Sequence, residues 1–192
     1  MDSDECIPVK WVSEYENAFY FEAHEVTDVD GDSFGKSPEC PGFLIKSQSK
    51  CLLLDGEQFQ IQFLSKHQQS QPGCKCNIQI YHDGSLKEKL VKPVMLFFTK
   101  ENKKMVACCK NQNDVYPEVM EPPENIPEDA HKAVFYLKKL QSVSNRYTFQ
   151  SSLFQGQYLG FKSDESQTFL QKLVLLKIPQ GEVNEQCQFS LI

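Results

Sequence analysis

The sequence predicts an all-β protein, because twelve short segments of strand character follow residue 42 and no helical periodicity continues beyond about two turns. Several segments alternate apolar and polar side chains, which is the pattern of a half-buried strand. Phe59, Ile61 and Phe63 share one face of such a segment, and glutamines occupy the other face. Strands this short at roughly 12-residue spacing indicate a sandwich or a closed barrel.

The predicted strands, in chain order, are 43–47, 50–55, 57–63, 76–82, 91–99, 103–110, 115–120, 133–138, 146–151, 157–162, 170–177 and 186–191. The third and fourth alternate clearly, with Ile78 and Ile80 of the fourth set against Gln79 and Tyr81. Turn residues such as Asp55-Gly56 and Gln155-Gly156 separate them. The best candidate for a helix is the short segment 163–169.

Twelve strands favour a β-trefoil, which is three units of four strands with pseudo-threefold symmetry. An immunoglobulin-like sandwich has about seven to nine strands and, in antibody domains, a Cys…Trp…Cys core. The single Trp of this chain lies at position 11, outside the predicted strands. The alternative of a sandwich is therefore less favoured.

The first 32 residues form a separate acidic segment. They carry ten acidic residues and one basic residue, a net charge of −9, whereas the other 160 carry 19 basic and 16 acidic residues, a net charge of +3. This leader contains one predicted strand, 18–21, and an acidic linker, 22–32. We therefore divide the chain into a propeptide, 1–32, and a β-trefoil domain, 33–192.

The change of charge coincides with the sequence Val29-Asp30-Gly31-Asp32-Ser33, in which an aspartate precedes a small residue. An acidic prefix joined to a mildly basic body at such a site suggests a latent precursor. The alternative is an acidic tail that only increases solubility. If the leader inhibits the body, Phe19 and Phe21 are expected to add a strand to an open sheet edge.

Composition excludes several function classes. The body is too weakly basic for a nucleic-acid-binding protein. The chain opens on acidic residues where a secretory signal has basic ones, and it has no apolar stretch of about 20 residues. We expect synthesis in the cytosol, no membrane insertion and no nucleic-acid partner.

No motif predicts catalysis. The sequence lacks Gly-x-Ser-x-Gly, a phosphate-binding glycine loop and His-Glu-x-x-His, and its four histidines are scattered. We expect reduced thiols, with Cys74 and Cys76 the pair that could oxidise outside the cell. A zinc site from Cys74, Cys76, Cys108 and Cys109 is disfavoured because C-x-C and C-C are not zinc-knuckle spacings. We therefore expect no cofactor and no metal, and a cysteine hydrolase is the weakest functional reading.

The segment 147–161, which reads YTFQSSLFQGQYLGF, resembles the Phe-x-Ser-Ser…Gly-x-(Phe/Tyr)-Leu segment of interleukin-1 family cytokines. Residues 120–126 (MEPPENI) and 169–177 (FLQKLVLLK) are similar to a loop and a strand of the interleukin-18 branch. Cys6-Ile7, Phe19-Tyr20-Phe21 and Phe34-Gly35-Lys36 match the precursors of that branch in order and spacing. Gly156 departs from the usual family Pro, and the match is weak over 58–110.

The resemblance implies a β-trefoil without enzyme activity. It also implies a cytoplasmic precursor that an inflammatory caspase cleaves between Asp32 and Ser33, followed by unconventional secretion. Val29, Asp30 and Gly31 are then protease-recognition residues. Caspases require an aspartate because a buried arginine pocket binds its carboxylate, and Val29 is the apolar P4 residue that inflammatory caspases accept.

The resemblance further implies receptor binding by a monomer, with two immunoglobulin-like chains of the interleukin-18 receptor alpha and beta types as partners. A soluble binding protein is a further implied partner, and induction of interferon-gamma is the implied response. Lys36 and Lys46 match basic positions that face the receptor, whereas Lys50 falls where relatives carry an acidic contact. The alternative is an intracellular β-trefoil binding module or protease inhibitor, but the body lacks the Gln-x-Trp repeats of sugar-binding trefoils.

Overall fold

The computed structural model describes residues 9–15, 18–23, 34–82, 91–127, 130–164 and 167–192. Within these ranges, no helix is long and apolar enough to cross a membrane. The described residues form mainly antiparallel strands, with three short helical segments among them.

Two strands, β1 (Val9–Tyr15) and β2 (Ala18–Ala23), lie in the leader. The body strands are β3 (Phe34–Lys36), β4 (Gly42–Phe43), β5 (Ile45–Ser47), β6 (Lys50–Asp55), β7 (Gln58–Gln62), β8 (Cys76–His82), β9 (Val91–Lys100), β10 (Lys103–Cys109), β11 (Val115–Val119), β12 (Asn125–Ile126), β13 (Phe135–Lys139), β14 (Tyr147–Ser151), β15 (Gln157–Asp164), β16 (Gln167–Lys177) and β17 (Ser190–Leu191). The helical segments are α1 (Lys66–Gln69) and two 3₁₀ turns, Pro72–Cys74 and Glu185–Cys187.

Strand pairing closes a six-stranded barrel. The pairs around the ring are β4 with β8, β8 with β9, β9 with β13, β13 with β14, and β17 with β5. Tyr147 of β14 and Phe189, just before β17, exchange two backbone hydrogen bonds of 2.8 and 2.9 Å and complete the ring. Because β4 and β5 are two parts of the first predicted strand, the barrel has no open edge at this point.

Three hairpins connect successive barrel strands. They are β6–β7, β10–β11 and β15–β16, and β7 also pairs with β16. The chain therefore repeats barrel strand, hairpin and barrel strand three times, which is the architecture of a β-trefoil. The predicted fold class is confirmed.

Each predicted strand overlaps an observed one, but the helix expected at 163–169 is wrong. Ser163 pairs with Gln171 and Asp164 with Gln167, so the described residues of this segment belong to β15 and β16. The hydrogen bonds of the antiparallel ladder outweigh a weak local preference for helix. The sequence also missed β3 and β12, two short strands that pair with each other.

The core consists of two clusters of buried side chains. The larger lies inside the barrel and contains six phenylalanines, of which Phe149, Phe161 and Phe189 make edge-to-face contacts at 5.6 Å. Burial of each such ring contributes about 1.5–3 kcal/mol to stability. The smaller cluster includes Tyr81, Met95, Phe97 and Ile126, and it lies beneath the 120–126 segment because Ile126 is part of it.

The predicted leader strand 18–21 is confirmed by β2, which pairs with β1 in a two-stranded sheet with a bulge after Trp11. The expected addition of this strand to an edge of the body sheet has no counterpart among the described pairings. The candidate cleavage and recognition residues Val29, Asp30, Gly31, Asp32 and Ser33 lie outside the described residues. The first body strand begins directly after them, at Phe34.

Candidate protein-binding surfaces

The geometry of the cysteines does not resemble a catalytic or metal site. Cys108 packs in the smaller core cluster and Cys109 in the larger one, because neighbouring residues of a strand point to opposite faces. In the part of the chain that the structure describes, no group of three or more His, Cys, Asp or Glu residues could hold a metal ion. All of the described cysteines are free, Cys74 and Cys76 included.

Burial also makes the core thiols poor nucleophiles. It raises the pKa of Cys108 and of Cys187 to about 12, and it raises the pKa of Cys109 to about 11. The pKa of the fully buried Cys76 is raised for the same reason. Since the thiolate is the reactive form, these four residues are unreactive at neutral pH. We therefore expect the functional residues to lie on the outer surface of the barrel.

One candidate surface, here called the Lys46 surface, comprises Lys46, Lys50, Phe63, Gln69 and Gln171. Lys46 lies on β5, and its ammonium donates a 2.8 Å hydrogen bond to Oε1 of Gln69, the last residue of α1. The Gln69 side chain is itself fixed, because its Nε2 donates to the carbonyl of Leu64 at 2.8 Å. The ammonium is therefore held in one position by a neighbouring element.

The second half of this surface combines an exposed ring with a cation. The Lys50 ammonium donates to Oε1 of Gln171 at 2.9 Å and lies 5.1 Å from the centroid of the Phe63 ring. Phe63 is 72% exposed. A cation over an aromatic face contributes about 0.5–1 kcal/mol at an exposed site, and aromatic residues are enriched at the cores of protein interfaces.

The sequence pattern predicted that Phe63 is buried, and this prediction is wrong. The alternation placed it on the buried face with Phe59 and Ile61, and those two residues are buried as expected. However, β7 ends at Gln62, and Ser65 caps α1 two residues after Phe63. The chain leaves the sheet here, so Phe63 no longer follows the alternation of the strand. The polar, helix-capping Ser65 is the sequence signal that could have indicated this break.

A second candidate surface, the Lys36 surface, comprises Lys36, Cys40, Lys104, Glu121 and Glu124. The Lys36 ammonium is 3.1 Å from Oε1 of Glu124, and the Lys36 backbone N–H donates to the Glu124 carbonyl at 2.8 Å. Lys104 forms a 2.7 Å ion pair with Glu121. Cys40 lies near both lysines, whose charges oppose the rise in its pKa that burial causes.

The segment 120–126 that carries both glutamates is fixed to the body. The Tyr81 hydroxyl donates a 2.9 Å hydrogen bond to the carbonyl of Pro123, and Pro122 and Ile126 are buried. In addition, β12 pairs with β3, the strand that contains Lys36. The two glutamate side chains can therefore change rotamer while their backbone stays in place.

The structure thus separates the two predicted receptor-contact lysines. Lys46 and Lys50 lie on either side of the β5–β6 turn, where they pair with Cys51 and Ser47, whereas Lys36 lies on β3 and contacts the 120–126 segment. Neither lysine is a simple solvated side chain, because each donates to a partner distant in sequence.

Several curated proteins are similar to this chain over most of its length. Mouse interleukin-18 is 27% identical over 180 residues, which cover 92% of this chain and 88% of the mouse protein. Pig interleukin-18 is 25% identical over 90% of this chain and 87% of its own length. Chicken interleukin-18 is 32% identical over 102 residues, half of each protein. No protein-family model matches the chain.

Solved structures share the fold. A chicken interleukin-1 beta mutant superposes with a TM-score of 0.58 at 20% identity and covers 83% of this chain and 99% of its own. A second chicken interleukin-1 mutant, altered at a hydrophobic cavity, gives a TM-score of 0.57 at 20% identity. At this identity the similarity concerns the fold alone, and it agrees with the trefoil deduced from the strand pairing.

Proposed function

Because the chain is a divergent member of the interleukin-18 family and an interleukin-1 family cytokine, we propose that it is a latent precursor that becomes a receptor ligand after proteolysis. Its relatives are cytokines and not enzymes.

The observation that carries this proposal is the extent of the similarity. The 160 residues after Asp32 are 160/192, or 83%, of the chain, whereas the match to mouse interleukin-18 covers 92%. The similarity therefore extends into the acidic leader. An acidic tail that served only solubility would not need to resemble a relative in sequence.

Cleavage divides the chain into a propeptide, 1–32, and a mature domain, 33–192. An inflammatory caspase cuts between Asp32 and Ser33, with Val29, Asp30 and Gly31 in its recognition sites. The start of β3 at Phe34 supports this position. A cut between Asp32 and Ser33 lies just before this strand and therefore leaves β3 and the barrel intact. The precursor stays in the cytoplasm, and the product leaves the cell by a route that needs no signal peptide.

The mature domain binds receptor chains of the interleukin-18 receptor alpha and beta types with the Lys46 and Lys36 surfaces, and interferon-gamma induction follows. A soluble protein that shares this binding face is a further partner. The exposed Phe63 ring beside Lys50 supports the Lys46 surface as a contact area, since one aromatic anchor supplies apolar area and the lysines supply charge complementarity. Charge at Lys50, where relatives are acidic, would make recognition species-specific.

The test uses the full chain and its Asp32→Ala variant. Each is incubated with an inflammatory caspase, the products are sequenced from the N-terminus, and binding to immobilised receptor ectodomains is measured before and after. We expect one main product that begins at Ser33 and binds at least about tenfold more tightly than the intact chain, a change of about 1.4 kcal/mol. Asp28→Ala, which lies outside the recognition sequence 29–32, is the matched control and should still be cleaved after Asp32.

Two results would contradict the proposal. A product that begins at Gly31 or Val29 would exclude the assigned bond. A correctly cut product without receptor binding, tested on both receptor chains together, would exclude the receptor function and favour an intracellular binding module.

A further inference from the structure

The ion pair between Lys36 and Glu124 has an uneven exposure. The side chain of Lys36 is only 21% exposed, whereas that of Glu124 is 81% exposed. A protein that approaches this surface therefore meets the carboxylate before it meets the ammonium. An acidic partner residue therefore competes with the Glu124 carboxylate for the Lys36 ammonium.

Glu124 can turn away by changing its side-chain rotamer. Its backbone is fixed by the hydrogen bond from Lys36 N–H, by the Tyr81–Pro123 hydrogen bond and by the pairing of β12 with β3. Release of the carboxylate therefore requires no rearrangement of the loop. A largely exposed ion pair is weak, so this competition shifts an equilibrium by up to about fivefold rather than blocking it.

We propose that Glu124 is a specificity-determining residue, because its carboxylate is the internal counter-ion of Lys36 that an acidic residue of the receptor must displace. This inference rests on the proposed function. The partner that it fits carries an aspartate or glutamate opposite Lys36. A partner without such a residue gains nothing in exchange for the broken ion pair and is disfavoured.

The chain offers a matched control at the other end of the same segment. Glu121 forms a 2.7 Å ion pair with Lys104, and its side chain is 74% exposed. Glu121→Gln and Glu124→Gln therefore make the same change in charge on the same element. Only Glu124→Gln removes the counter-charge of Lys36, so a difference between the two variants reports on that lysine and not on net charge.

The experiment measures receptor affinity by surface plasmon resonance for cleaved wild type, Glu124→Gln, Glu121→Gln, Lys36→Met and the Lys36→Met/Glu124→Gln double variant. We expect Glu124→Gln to bind about two- to fivefold more tightly than wild type, and Glu121→Gln to change affinity by less than about twofold. In the Lys36→Met background, Glu124→Gln should have no effect, since the competition no longer exists. Equal melting temperatures confirm that the variants are folded.

The outcomes separate this inference from the proposed function. If cleaved wild type does not bind the receptor, the receptor function and this inference both fail. If wild type binds but Glu124→Gln is unchanged or weaker, only this inference is wrong. An equal gain for Glu121→Gln would also contradict it, because the effect would then come from overall charge.

Discussion

At the scale of single residues, Phe63 and Lys50 place a large exposed aromatic ring next to a fixed positive charge. Phe63 is a large apolar side chain that is mostly in water, and Lys50 is held over it by a hydrogen bond to Gln171. Exposed apolar groups of this kind cost little stability when removed, yet they supply much of the affinity of protein interfaces. A substitution at Phe63 can therefore lower receptor affinity while leaving the stability of the fold almost unchanged.

We expect Phe63→Ala to lower the receptor affinity of the cleaved protein by about tenfold, or about 1.4 kcal/mol, with a melting temperature close to wild type. Val183→Ala is the control, because Val183 is 79% exposed and belongs to neither candidate surface. Calorimetric melting and receptor titration measure both effects. Equal affinity for wild type and Phe63→Ala would remove Phe63 from the contact area, while a large loss of stability would show that its ring supports the fold.

The burial of residues was predicted correctly where the local sequence pattern determines it. Phe59 and Ile61 are buried as the alternation requires, and the core thiols behave as small apolar groups. The partners of the surface lysines could not be predicted, because Lys36 pairs with a residue 88 positions away and Lys50 with one 121 positions away. Such contacts depend on how the barrel closes and leave no local signal.

At the scale of elements, an ion pair links the β10–β11 hairpin to the turn before β13. Both oxygens of the Glu118 carboxylate accept from the Lys132 ammonium, at 2.9 and 2.7 Å, and the Tyr116 hydroxyl donates to the same carboxylate at 2.8 Å. These hydrogen bonds hold the pKa of Glu118 below its ordinary value of 4.5 and raise the pKa of Lys132 above 10.5. The pair therefore contributes stability while both groups are charged.

The stabilisation by this ion pair depends on pH, because folding lowers the pKa of Glu118. A carboxylate whose pKa is lowered by folding stabilises the protein above its unfolded pKa, and this contribution is lost as the pH falls below about 4.5. Because the side chains are 33% and 40% exposed, solvent limits the pair to about 1 kcal/mol or less. Glu118→Gln should be destabilised by that amount at pH 7 and by less at pH 3.

Urea unfolding of wild type, Glu118→Gln, Lys132→Met and the double variant at pH 7 and pH 3 measures this contribution. A coupling energy that is present at pH 7 and absent at pH 3 is the expected result. A coupling of equal size at both values would mean that packing of the lysine stem, rather than charge, joins the two elements.

The longer body strands could be predicted from the sequence, whereas very short strands that form only through pairing could not. Most body strands of five or more residues were found within one or two positions, for example Lys50–Asp55 and Cys76–His82. However, β16 begins three residues before its predicted start, and β1 in the leader was missed. The pair β3 and β12 was missed because each has only two or three residues and forms through tertiary hydrogen bonds. This missed pair places Lys36 next to Glu124, so the sequence named the lysine but not the site around it.

At the scale of the whole molecule, the number of predicted strands favoured the trefoil over a sandwich, and three hairpins and a six-stranded barrel account for all twelve predicted segments. Closure of the ring depends on Phe189 and Tyr147, which the sequence marks only as members of the last and ninth predicted strands. The barrel leaves both candidate surfaces on its outside. Any latency must therefore come from the leader.

The charge difference between leader and body is too weak to explain latency alone, because salt screens charges beyond about 8 Å. If the leader inhibits the body, we therefore expect apolar contacts of Phe19 and Phe21 to carry most of the effect. In the leader hairpin these two residues lie opposite Glu14 and Trp11. In the uncleavable Asp32→Ala chain, we expect Phe19→Ser with Phe21→Ser to raise receptor affinity at least about threefold. Tyr20→Ser, which alternates with them along β2, is the control. An affinity that stays at the uncleaved level in the double variant would mean that the leader blocks the receptor only by its bulk.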